Sequence, residues 1–219
     1  YPSIIQAYNL CYSTLVLDEA ALEGVSEDDV ISVSTNTGRV HRFVKAHVRT
    51  SILAQLLTSW LAERKAVREK LKVCSDPLMK ILLDKQQLAL KLTCNAVYGF
   101  TGTSKGMFPC LAVAESVTAQ GRKLLSTTKS YICETFNDWN VLASVSPALR
   151  GCEVDQDKFQ VDVVYGDTDS VFVAVFGLTD TDVLYSALPD IASHITKTLF
   201  PPPIKLEVDK VFVKLLLLC

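Results

Sequence analysis

Two aspartates separated by one residue, Asp167-Thr168-Asp169, are the most chemically suggestive feature of this sequence. In an extended strand, residues i and i+2 share a face, so two such carboxylates can converge on one cation. Hard oxygen donors of this kind suit Mg²⁺, and a pair of divalent ions about 4 Å apart can activate a hydroxyl and stabilise a leaving oxyanion in phosphoryl transfer. An Asx-rich hairpin turn would supply the same residues without any chemistry. The flanking runs, Val161 to Tyr165 and Val171 to Val175, are strongly apolar. Paired charges between apolar strands are expected to need a counter-ion.

Two further groupings fit the same chemistry. Lys91, Asn95 and Tyr98 fall at i, i+4 and i+7 and form one helical stripe, which Asp84 and Gln87 extend backwards. A cationic head, an amide and a flat ring are what a nucleoside triphosphate needs for its phosphates and base. Arg64 and Arg68, one turn apart and continued by Lys72, can grip a triphosphate tail. Each grouping taken alone also describes an ordinary solvated helix face.

The elements that must position these residues are legible from periodicity and punctuation. Tyr1-Pro2-Ser3 before Ile4 and Ile5 reads as a turn entering a short helix. Residues 30–34 and 40–44 flank Asn36-Thr37-Gly38 and read as a surface hairpin. Apolar residues from Ile52 to Leu71 recur at three- and four-residue spacing, giving a helix over 51–73. Ser75-Asp76-Pro77 breaks it, and a second helix is expected from about Leu78 to Gly99, where Gly99 and Gly102 bring it to an end, making an antiparallel helical hairpin. A third helix is expected over 111–136, followed by a polar, irregular stretch over 138–158. Two strands then flank Gly166–Ser170 in a tight hairpin, with the two aspartates at or beside its turn. A helix over 182–199, a rigid triple proline and a strand over 205–218 complete the reading.

Composition narrows the class. The chain has 219 residues, 49% of them hydrophobic, and a net charge of −2. No apolar run approaches the roughly 18 to 20 residues that span a bilayer. The charge is unevenly spread: residues 18–29 hold six acids and no Lys or Arg, whereas residues 39–72 hold nine Lys or Arg against Glu63 and Glu69. A basic segment of that kind can hold phosphates. The seven cysteines form no C-x-x-C pair and have no histidine at ligand spacing, so zinc is not expected. The pattern suits reduced, buried thiols.

Tyr1-Pro2-Ser3-Ile4-Ile5, Lys91-x-x-x-Asn95-x-x-Tyr98-Gly99 and Tyr165-Gly166-Asp167-Thr168-Asp169-Ser170 resemble, in this order, the end of motif A, motif B and motif C of family B DNA polymerases. Phe43 to Arg49, Leu83 to Gln87, Val97 to Gly102 and Pro202 to Glu207 resemble herpesvirus members, and Asn95 to Tyr98 leans toward the gamma subfamily. The resemblance implies an α+β fold: a polymerase palm, an antiparallel sheet backed by helices, with an inserted α-helical fingers hairpin. The palm would occupy 1–49 and 104–219 and the fingers 50–103. It implies template-directed addition of deoxynucleotides to a primer 3′-hydroxyl in viral DNA replication. Asp167 and Asp169 would be the catalytic, metal-binding pair for two Mg²⁺ ions, with Asp167 the principal ligand. Arg64, Arg68 and Lys91 would contact the triphosphate as the fingers close, and Asn95 and Tyr98 would line the nascent base pair. Tyr1 would lie under the deoxyribose and reject a 2′-hydroxyl.

Implied partners are primer–template DNA, deoxynucleoside triphosphates and a viral processivity subunit that docks outside this chain. The implied location is the host cell nucleus, with no membrane association. Ala96 stands where many relatives have Ser. The first motif A aspartate, five residues before Tyr1, and the lysine-rich motif after Cys219 fall outside the sequence. The chain is therefore expected to be a piece of a longer protein and inactive alone. A relative that binds DNA without catalysis is the rival reading, and the intact carboxylate pair speaks against it.

Overall fold

A computed structural model describes residues 1–18, 22–103, 108–178 and 180–212. It divides into two compact units, residues 1–121 and 122–219. The fold is mixed α+β, with helices predominating over two small antiparallel sheets.

In the first unit, helix α1 (Pro2–Ala7) starts on a proline, whose missing N–H costs nothing at that position. Strands β1 (Leu15–Val16), β2 (Val30–Ser34) and β3 (Val40–Val44) form a sheet ordered β1-β3-β2. The expected hairpin is present, with Val30 opposite Val44 and Ser34 opposite Val40. Its surface location is not borne out: β3 is the central strand, and Val33, Phe43 and Val44 are buried. The sequence shows no alternation strong enough to reveal that β1, only two residues long, covers the far edge.

Helix α2 (Ile52–Val73) begins at Ser51, whose hydroxyl accepts the Ala54 N–H at 2.9 Å. Such a cap is worth about 1 kcal/mol. Asp76 caps α3 (Pro77–Gly102) in the same way through the Leu78 N–H, with Pro77 at the first helical position. The helix runs through Gly99 and ends at Gly102, the second of the two glycines expected to stop it. An interior glycine costs a helix only about 1 kcal/mol, and the extra turn is held by the buried Thr101, whose carbonyl accepts the Cys110 N–H.

Helix α4 (Leu111–Thr135) follows. The polar stretch after it is not irregular throughout: α5 (Trp139–Val145) is capped by Asp138 and buries Leu142. Trp139, Leu142 and Val145 at three-residue spacing carry that face, a signal too short to stand out among polar neighbours. Strands β4 (Gln160–Asp167) and β5 (Ser170–Phe176) pair antiparallel, and α6 (Thr181–Leu199) follows them. Ile132, Phe136, Leu142, Leu149, Val161, Val163, Ala187 and Ile195 form the second unit's core.

The strand expected over 205–218 is absent from its described part, residues 205–212. There the Leu206 N–H donates to Thr196 Oγ1 of α6 at 2.8 Å, and Leu206 packs against the core. The segment satisfies its backbone on a helix instead of a ladder. Residues 213–218 of that expectation lie outside the described residues.

Gly177, at φ +77, turns the chain out of β5 so tightly that a Cβ there would lie 2.6 Å from the Phe159 nitrogen. Gly177→Ala is expected to destabilise the protein by about 2 kcal/mol or more, because both the backbone angle and the neighbouring main chain oppose it. Thermal denaturation checks this, and an unchanged midpoint contradicts it.

Candidate active site

Sequence alternation alone would place Asp167 on the same face as Val161 and Val163. A register shift between Val163 and Tyr165 changes this, because Val163 pairs with Val173 while Tyr165 pairs with Phe172. Residues paired across strands share a face. Val161, Val163 and Gly166 therefore share a face with Val171, Val173 and Val175. Asp162, Tyr165 and Asp167 lie on the other face, with Ser170, Phe172 and Ala174. A bulge thus turns Asp167 away from the buried valines.

Gly166 is exposed and has room for a side-chain carbon. A Cβ there would meet the Ser170 carbonyl at 3.4 Å and Leu125 Cδ2 at 3.6 Å.

The expected tight hairpin is present with both acids at or beside its turn, but they do not share a strand face. Asp167 closes β4 opposite Ser170, so Thr168 and Asp169 are the two loop residues. Asp169 is in the turn and not in a strand, and its N–H donates to the Asp167 carbonyl at 2.5 Å. Thr168 has φ +49, an uncommon angle for a β-branched residue. Its hydroxyl donates to Asp167 Oδ1 at 2.9 Å. Residues 164–170 are exposed. The two acids are therefore solvated at the hairpin tip, and burial between apolar strands is not what demands a counter-ion. As exposed carboxylates in a tight turn they fit a hard divalent cation in donor type. Among the described residues no cluster of three or more His, Cys, Asp or Glu could hold a metal unaided.

In the first unit, α2 and α3 pair as the expected helical hairpin. Arg64 Nε donates to Gln87 Oε1 at 3.4 Å, and Gln87 in turn donates to Asp84 Oδ1 at 3.1 Å. The basic pair on α2 is thus joined to the α3 stripe one turn before Lys91. Lys91, Asn95 and Arg68 are exposed, and Arg64 is half-buried. Cys94 is buried beside them; burial pushes its thiol up, an effect the nearby Arg64 partly opposes.

The rings of Tyr1 and Tyr98 lie 4.1 Å apart between centroids and are tilted by 31°. The first residue of the chain and the last residue of the stripe are therefore in contact, which spacing could not have shown.

Sequence reasoning missed Asn9. It is 2% exposed and sits at φ +54, and its side chain bonds to the Val44 and Arg49 carbonyls and to the N–H of Ser51, the cap of α2. The available signal was an asparagine just after a short helix, where Asn tolerates the left-handed region.

The carboxylate turn, the basic hairpin and the tyrosine pair stand in a chain that the sequence model of DNA polymerase family B matches over residues 1–219. The chain belongs to that family. It is 74% identical over 219 residues to the DNA polymerase catalytic subunit of Elephantid herpesvirus 1 (isolate Asian elephant/Berlin/Kiba/1998), covering 100% of this chain and 21% of the relative. Identity is 47% over 219 residues to the DNA polymerase catalytic subunit of Human herpesvirus 6B (strain Z29), and 46% over 220 residues to that of Epstein-Barr virus (strain B95-8), with the same coverage of both. The chain spans about a fifth of the length of these relatives.

The strain at Thr168 gives a direct test of the turn. Thr168→Gly is expected to stabilise the hairpin by about 1 kcal/mol, since glycine reaches positive φ without steric cost. A rise in the thermal midpoint checks this; a fall of similar size contradicts it.

Proposed function

We propose that this chain supplies the nucleotide-addition residues of a DNA-directed DNA polymerase that replicates viral DNA. The reaction is template-directed attack of a primer 3′-hydroxyl on a deoxynucleoside triphosphate, releasing pyrophosphate. The observation that carries the proposal is the hairpin tip, which exposes Asp167 and Asp169 on a strained turn within a chain that matches the family end to end.

Asp167 is the main holder of divalent metal in this reading, and Asp169 is its neighbour in the turn. Two Mg²⁺ ions, when bound, lower the pKa of the attacking hydroxyl and neutralise charge on the leaving oxygen. The protein's own part is positioning and charge. Arg64 and Arg68 bind the triphosphate tail, with Gln87 holding the Arg64 guanidinium in place. Lys91 supplies a further phosphate contact. Tyr98 and Asn95 line the pocket of the forming base pair. The Tyr1 ring, supported by Tyr98, bars a 2′-hydroxyl. The first part of the palm is 1–49, the fingers are 50–103 and the rest of the palm is 104–219. Partners are primer–template DNA, deoxynucleoside triphosphates and a processivity subunit, and the location is the host cell nucleus; the resemblance to herpesvirus polymerases supports these.

In the full-length parent protein, Asp167→Asn is expected to reduce primer extension by about two to three orders of magnitude, in the range of an essential electrostatic group, while primer–template affinity stays within a few-fold. Extension at near wild-type rate contradicts the assignment. Tyr1→Ala is expected to raise ribonucleotide incorporation relative to deoxynucleotide incorporation. An unchanged ratio removes that role from Tyr1.

A further inference from the structure

Asn9 is buried in the first unit and uses its whole amide. Nδ2 donates to the Val44 carbonyl at 2.7 Å and to the Arg49 carbonyl at 2.8 Å, and Oδ1 accepts the Ser51 N–H at 2.9 Å. Val44 ends β3, and Ser51 is the cap of α2. The backbone carbonyl of Asn9 accepts the Thr14 hydroxyl at 2.6 Å, and the Thr14 carbonyl accepts the Val44 N–H at 2.8 Å. One side chain thus joins three segments: the end of the α1 region that begins with Tyr1, the last residue of the central strand, and the first turn of α2.

Asparagine suits this position for two separate reasons. It tolerates φ +54 better than most residues. It also offers two donors and an acceptor in one plane. Aspartate has the shape but not the donors, and glycine has the backbone freedom but no amide.

The consequence lies further along α2. Arg64 and Arg68 follow Ser51 by 13 and 17 residues, which at the rise of an α-helix is about 20 and 25 Å. A rotation of about 5° at the base of such a lever moves its end by about 2 Å, and misplacement of that order is enough to impair a positioned contact.

We propose that Asn9 is a positioning residue that sets the angle of the α2–α3 hairpin against the segment carrying Tyr1, and so determines how Arg64 and Arg68 meet the triphosphate. The proposal rests on the polymerase reading above, because it takes the triphosphate as the ligand of the basic pair. Asn9 touches no substrate and acts only through α2.

The test uses full-length parent protein in single-nucleotide primer extension. Asn9→Asp, Asn9→Ala and Asn9→Gly are each expected to raise KM for the incoming deoxynucleoside triphosphate about tenfold or more, as loss of buried hydrogen bonds at the helix base implies, with primer–template affinity unchanged. Asn9→Gly retains the backbone angle, so a KM rise there assigns the effect to the amide. Ser51→Ala removes the α2 cap and leaves all three Asn9 bonds. It is expected to lower the thermal midpoint without the KM rise, which separates positioning from general weakening of the helix. Ser51→Pro fits the Ser51 φ of −64 and also deletes the N–H that Asn9 accepts. Its KM rise over Ser51→Ala reads the same coupling in a protein with Asn9 intact. Wild-type KM in the folded Asn9 variants, or equal KM for Ser51→Pro and Ser51→Ala, overturns the proposal. If Asp167→Asn abolishes extension in the same assay, only the Asn9 inference has failed; if Asp167→Asn extends normally, the polymerase reading has failed.

Discussion

The buried amide of Asn9 is the constraint on which the first unit's geometry depends. Three backbone groups, each more than 30 residues further along the chain than Asn9, end on it, and leaving a buried one unpaired would cost about 1–3 kcal/mol. The short α1 and the long α2 are also joined by Gln6 Nε2 donating to Thr58 Oγ1 at 2.7 Å, but among the described residues Asn9 alone ties the end of the central strand to the start of α2 through one side chain. The amide makes their relative placement a matter of hydrogen-bond geometry as well as apolar packing. The Tyr1–Tyr98 contact and the Arg64–Gln87 bond are then located by helices whose bases are already fixed.

The second unit solves a related problem on a strand. A regular β4 would direct Asp167 to the side of Val161 and Val163, which packs into the core. One bulge reverses the remaining alternation, and the turn that follows carries Thr168 at positive φ. Both devices cost local stability, and both deliver the same result: two carboxylates in solvent at the end of a hairpin whose other end is anchored in a core. Solvated acids can accept a divalent cation without first overcoming burial.

Much of this was legible in the sequence where local signals agree. The three- and four-residue periodicity from Ile52 to Leu71 and the break at Ser75-Asp76-Pro77 gave both long helices, and the apolar runs around Gly166–Ser170 gave the hairpin. The family followed from three short motifs in order. What escaped was set by long-range partners. The hairpin of β2 and β3 reads as surface because the strand that covers it is two residues long. Leu206 looks like a strand residue until Thr196 takes its N–H. The bulge at Val164 cannot be inferred from alternation, since valine serves equally on either face. Asn9 has no spacing pattern at all, because its partners are main-chain groups of Val44, Arg49 and Ser51.

The central claim is that a divalent ion binds at the carboxylate turn. Iron(II)-directed hydroxyl-radical cleavage of the full-length parent, with primer–template and deoxynucleoside triphosphate bound, tests it without relying on turnover. Cleavage of the main chain around residues 166–170 that excess Mg²⁺ suppresses is the predicted result. Cleavage confined to other parts of the chain, or cleavage at this turn that Mg²⁺ leaves unchanged, would contradict it.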